Sequence, residues 1–157
     1  MRKLFAFFTF LSFIVTCFVK LYQDTHYFKL ENVTFRSSKL PANAKFTILQ
    51  ISDLHNHVFG ADNDRLISTV KMARPDLIVI TGDLIDRRTK TFDHVFSLVE
   101  RLTAINPHVL FVSGNHEWGN GRSAEFLNGL EERNITILNN RNTQFTKGTV
   151  TLNIGVG

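Results

Sequence analysis

Hydrophobic and polar positions divide the chain into three regions. Leu4 to Val19 is an uncharged apolar run of sixteen residues, with Arg2 and Lys3 before it and Lys20 after it. That length falls just short of the roughly 17 to 25 residues a spanning helix needs. Lys20 can snorkel toward lipid headgroups, so Leu21 and Tyr22 extend the span at the interface. The run therefore reads as a membrane anchor over residues 1–22. A cleaved signal peptide is the rival reading, and it calls for small residues after the apolar core. The sequence there is Phe18-Val19-Lys20-Leu21-Tyr22. Arg2 and Lys3 on the cytoplasmic side would place the rest of the chain outside the cytoplasm. Residues 23–44 form a polar juxtamembrane stretch in which Leu30 to Arg36 alternates as an edge strand would, closed by Pro41.

From residue 45 to 157 the pattern becomes rhythmic. Phe46 to Ser52 is rich in β-formers. Asp62 or Asn63 is placed to cap a helix reaching about Ala73, with Leu66, Ile67, Val70 and Ala73 on one face and Pro75 as its stop. Asp76 to Thr81 is almost continuously apolar, as expected of a strand covered on both faces. Phe92, Val95, Phe96, Val99 and Leu102 mark a second amphipathic helix. His108 to Ser113 follows as a strand, then a helix marked by Phe126, Leu127 and Leu130, then a strand over Ile135 to Leu138. A hairpin turning at Lys147-Gly148 completes the chain. Alternating strands and helices predict βαβ units on a parallel sheet, hence an α/β fold. Ligands bind such sheets at the carboxyl ends of the strands.

Composition narrows the chemistry. The net charge of +4 follows no stripe or cluster, so no nucleic-acid partner is expected. The single Cys17 excludes an internal disulfide and a zinc–thiolate site. Any metal must be held by oxygen and imidazole.

The predicted strand ends carry such groups. Asp53-Leu54-His55 follows the first strand, Gly82-Asp83-Leu84-Ile85-Asp86 the second, and Gly114-Asn115-His116-Glu117 the third. Taken singly, each has a plainer reading: Asp and Asn are common turn and capping residues. Together they gather carboxylate, amide and imidazole at one sheet edge, the ligand set of hard and borderline divalent cations. Paired cations stand roughly 3.5 to 4 Å apart and need a shared carboxylate. Asp83, in the middle block, is the natural bridge. Asp86 and Glu117 read as structural caps or as partners of the ligands. Arg87 and Arg88 read as solvated, with a phosphate contact as the alternative. His57 reads as an exposed loop residue, and His26, His94 and His108 as structural. Trp118 either walls the pocket or packs.

In order and spacing these three blocks, set in LQISDLHN, LIVITGDLID and VLFVSGNHEW, resemble the calcineurin-like metallophosphoesterase superfamily. The flanking text is most similar to its membrane-associated bacterial branch, which includes relatives of hydrolases acting on diphosphate bonds of lipid precursors. The resemblance covers about residues 45 to 120. It implies the first half of a β-sandwich flanked by helices and two divalent ions drawn from Mn, Fe, Zn or Ni. Asp53 and His55 would bind one ion, Asp83 both, and Asn115 the other. His116 would protonate or stabilise the leaving group, and a metal-bound hydroxide would attack phosphorus in line. The implied substrate is a phosphoester or diphosphate, lipid-linked substrates among them.

The family pattern continues with a further histidine and a Gly-His-x-His block, and no histidine follows His116. The second ion is then left with Asp83 and Asn115. The chain is accordingly expected to be truncated, with little or no turnover on its own. A non-catalytic membrane-bound remnant or interaction module is the alternative. A nucleotide-binding domain is disfavoured, because Asp-Leu-His and not a glycine-rich loop follows the first strand.

Overall fold

The computed structural model describes residues 2–41 and 43–155. Met1, Ala42, Val156 and Gly157, assigned from sequence to the anchor, the juxtamembrane stretch and the end of the third region, lie outside the described residues. The chain divides into two units, Met1–Thr34 and Phe35–Gly157.

The first unit holds helix α1, Arg2–His26. Leu4–Tyr22 within it is a 19-residue segment long and apolar enough to cross a membrane. Its Phe5, Phe7, Phe8, Phe10, Phe13 and Phe18 are all more than half exposed, so no protein core covers them. Thr9 and Thr16 return their hydroxyls to carbonyls one turn back, leaving those polar groups satisfied within the helix. The edge strand expected at 30–36 does not form. No described strand pairs with it, and Val33 and Phe35 stand 68% and 89% exposed. Alternation without a partner ladder leaves the backbone amides nothing to pair with.

In the second unit, strands β1 (Ile48–Ile51), β2 (Leu77–Thr81), β3 (Val109–Val112) and β4 (Thr136–Ile137) form one parallel sheet in sequence order. Helices α2 (Asp64–Ala73), α3 (Asp93–Ile105), the single-turn α4 (Asn115–Trp118) and α5 (Ser123–Glu131) fill the connections. Side chains alternate across the strands. Phe111 turns to the helices, where its ring meets Phe126 at 6.0 Å between centroids. The opposite face presents Leu77, Val79, Leu110 and Val112 to a hairpin of β5 (Asn142–Lys147) and β6 (Val150–Gly155), which contributes Phe145, Leu152 and Ile154. The sheet is thus covered on both faces, as the apolar run of β2 predicts. Leu77, Ile78 and Ile80 are at most 1% exposed.

Local details differ from the sequence reading. Asn63 does stand at the N-cap of α2, but in the left-handed region and without a side-chain cap bond. Its Oδ1 accepts instead from the Phe59 amide at 3.0 Å, closing the preceding loop. The hairpin turns one residue later than expected, at Gly148-Thr149, because Lys147 still pairs with Val150. Gly148 there has φ 60°.

Candidate active site

Parallel pairing sets the carboxyl ends of β1, β2 and β3 side by side, with Ile51 opposite Ile80 and Thr81 opposite Val112. The backbone pairing then continues into the loops. Asp53 N donates to Gly82 O (3.3 Å), His55 N to Asp83 O (2.8 Å) and Asn56 N to Leu84 O (2.7 Å). Hence the two segments carrying Asp53-Leu54-His55 and Gly82-Asp83 travel together.

The conformation needed to do so is unusual. Asp53, His55, Asn56 and Asp83 all hold φ between 48° and 58°, left-handed values that side chains other than glycine adopt at a cost of roughly 1 kcal/mol or more. Such strain persists only where surrounding bonds over-determine it, and four instances meet at this sheet edge. Two glycines allow the next contact. A Cβ on Gly82 would lie 2.6 Å from Gly114 Cα, and one on Gly114 would lie 2.2 Å from Asp83 Oδ1. Backbone of the β3 turn is therefore seated directly on the β2 turn.

Side chains converge as a result. His55, Asp83 and His116, each half-buried, bring one potential ligand atom apiece to within 4.8 Å of one another. The two imidazoles meet edge to face, centroids 4.6 Å apart. Asp83 Oδ1 accepts from the His116 amide at 3.1 Å. Asn115 lies between Asp83 Oδ2 at 3.3 Å and Arg87 Nη2 at 3.1 Å. With its nitrogen toward the carboxylate and its oxygen toward the guanidinium, it hydrogen-bonds both. With its oxygen turned to Asp83, two acceptors would face each other and neither hydrogen bond would form. Asp53 is exposed and not part of that three-residue group, its Oδ2 accepting from the Ser52 hydroxyl at 2.5 Å.

Asp86 resolves toward one of its two sequence readings. Its Oδ1 is 3.2 Å from His55 Nδ1 and 3.3 Å from His116 Nδ1, facing both rings at once. The alignment is poor enough that neither buried Nδ1 gains a hydrogen bond. Two buried ring nitrogens without a hydrogen-bond partner, beside a carboxylate and an amide, form a donor set that suits a hard or borderline divalent cation. Arg87 is exposed, as expected, and its guanidinium also reaches Asn115, its stem fitting where Gly119 has no side chain. Trp118 is 63% exposed and packs little. His57, expected exposed, is half-buried with its ring 4.6 Å from that of Phe59. His94 and His108 lie away from the cluster on α3 and before β3.

Glu117 was the least legible position. It is fully buried, and its carboxylate accepts from the backbone amides of Asp83 (2.8 Å), Gly114 (2.8 Å) and Ile85 (3.2 Å). Only its place three residues after Gly114 hinted at the Gly114 contact; the bonds to the β2 loop span more than thirty positions and have no sequence signal.

An α/β sheet whose three adjacent strand ends assemble carboxylate, amide and imidazole groups carries the donor set of a divalent-cation site. The chain belongs to the calcineurin-like phosphoesterase family, whose sequence profile matches residues 46–155. An uncharacterized metallophosphoesterase of Aquifex aeolicus is 32% identical over 110 residues, covering 66% of this chain and 41% of the relative. The metallophosphoesterase YkuE of Bacillus subtilis is 30% identical over 124 residues, covering 76% and 43% respectively. The chain thus spans about two fifths of the length of these relatives. The phosphopantetheinyl hydrolase PptH of Mycobacterium tuberculosis, a solved structure, overlaps 69% of this chain and 41% of its own, with a TM-score of 0.49 and 22% identity.

Proposed function

We propose that this site hydrolyses a phosphoester or diphosphate bond at a membrane surface, with two divalent cations held by Asp53, His55, Asp83 and Asn115. The observation that carries the reading is the convergence of His55, Asp83 and His116 within 4.8 Å at the ends of three parallel strands. Divalent cations, when bound, supply charge neutralisation for the phosphoryl oxygens and lower the pKa of water. The remaining work falls to the chain's own groups. Asp53 and His55 would hold one cation, Asp83 would serve both, and Asn115 the other. Asp86, 3.2 and 3.3 Å from the Nδ1 atoms of His55 and His116, would add negative charge beside both rings, and His116 would give a proton to the leaving oxygen. Arg87, beside Asn115, adds positive charge at the rim. The apolar helix α1 would tether the chain, with Arg2 and Lys3 on the cytoplasmic side and the site outside. A lipid-linked phosphate is the substrate class such a tether suits.

The test is hydrolysis of a chromogenic phosphodiester by the full chain in detergent with Mn(II). Slow, Mn(II)-dependent turnover that falls roughly 100-fold or more in His116→Gln is expected, the size of a lost general acid. Turnover indifferent to a chelator or to His116→Gln would overturn the reading. A second reading, metal binding by these residues without catalysis, draws on the second cation having only Asp83 and Asn115 among the described residues. Mn(II) bound with no turnover would select it.

A further inference from the structure

Among the described residues, Glu117 is the one charged side chain that is fully buried, at 0% exposure. A carboxylate without water is costly unless every lone pair is used. No described cation forms an ion pair with it. Its three partners are all backbone amides, and they belong to two different loops. Oε2 takes the amide of Asp83 and that of Gly114, both at 2.8 Å, and Oε1 takes that of Ile85 at 3.2 Å. The β2 loop and the β3 turn are thus fastened to the same carboxylate. A second observation meets the first at this point. The two segments are in backbone contact through Gly82 and Gly114, and Asp83 is held at φ 53°. Charge-assisted bonds to the Asp83 amide can hold it in that conformation.

We propose that Glu117 is a positioning residue that sets the separation of Asp83 from Asn115 and thereby the affinity of the site for its cations. This rests on the metal-binding reading above. Glutamine in its place retains one oxygen, enough for the Asp83 and Gly114 amides, and turns an amide donor toward Ile85. Its effect is therefore graded, whereas leucine removes all three acceptor contacts. A merely structural residue would lower the melting temperature without singling out the cation site.

The experiment is a Mn(II) titration of the full chain in detergent micelles, comparing wild type, Glu117→Gln and Leu102→Ala. Leu102 is a fully buried core residue of α3 away from both loops and serves as the stability control. Expected is a loss of Mn(II) affinity of roughly 10-fold in E117Q, the low end for partners of metal ligands, with L102A unchanged. E117Q binding like wild type would overturn the positioning role and leave the functional reading standing. An equal loss in L102A would overturn it too, by showing that general stability governs binding. Wild type that takes up no Mn(II) would remove the functional reading and this role with it.

Discussion

Asp83 does three things from one residue. Its left-handed backbone turns the β2 end inward, its amide meets Glu117, and its Oδ1 receives the His116 amide. Any intrusion next to it should therefore be felt at the cations. Gly114→Ala places a methyl 2.2 Å from Asp83 Oδ1, so the carboxylate must move. The expected outcome is a folded protein with Mn(II) affinity lowered about 10- to 100-fold, the range for disturbed ligand support, measured by titration beside a melting curve. The ligand-type residues at this scale were legible because three short blocks followed three predicted strand ends. The support around them was not. Glu117 and Asp86 act through contacts with residues far off in sequence, and Arg87 acquires its partner only when Gly119 opens space for its stem. The left-handed angles at Asp53 and His55 likewise arise from pairing between loops and leave no pattern in composition.

Among the elements, the strands of the sheet were the most legible. A run such as Leu77 to Thr81, with Pro75 before it and Gly82 after it, has few alternatives. Short or unpartnered elements were not. The four residues of α4 are too few to show a period, and the alternation of Leu30 to Arg36 lacks a ladder to join. The docking of the hairpin on the sheet was also invisible, since it brings together residues far apart in sequence: Phe145, Leu152 and Ile154 on Leu77 and Leu110, with Lys147 against Asp76 at 2.7 Å and the Lys45 carbonyl at 3.2 Å. Burial acts to raise the Asp76 carboxyl, but bonds from Lys147 and the Thr47 amide, with the nearby ammonium charge, hold it below its ordinary value. A carboxyl depressed in the folded state stabilises above its unfolded pKa, roughly 3.9, and loses that stability as pH falls through the lower folded value. Lys147→Met should consequently cost about 0.5 to 1 kcal/mol at pH 7, modest because the lysine is half-exposed. The gap from wild type should close below about pH 3.9 in thermal melts across pH. In the helical layer, Phe126→Ala empties a fully buried site among Phe92, Phe96 and Phe111 and should cost about 3 to 5 kcal/mol by denaturant titration.

For the whole molecule, two properties combine: an exposed apolar helix at the N-terminus and a polar cluster at one sheet edge. The helix should keep the expressed chain in membranes through an alkaline carbonate wash with its N-terminus intact. Release of a shortened chain would show instead that the segment is a cleaved signal. The cluster is tested most directly by Mn(II) titration of wild type against Asp83→Asn, followed by electron paramagnetic resonance. Wild type should bind, and the variant should lose roughly 100-fold or more in affinity, since it removes a ligand itself and not one of its supports. Equal binding by the two proteins would contradict a shared cation site at the ends of β1, β2 and β3.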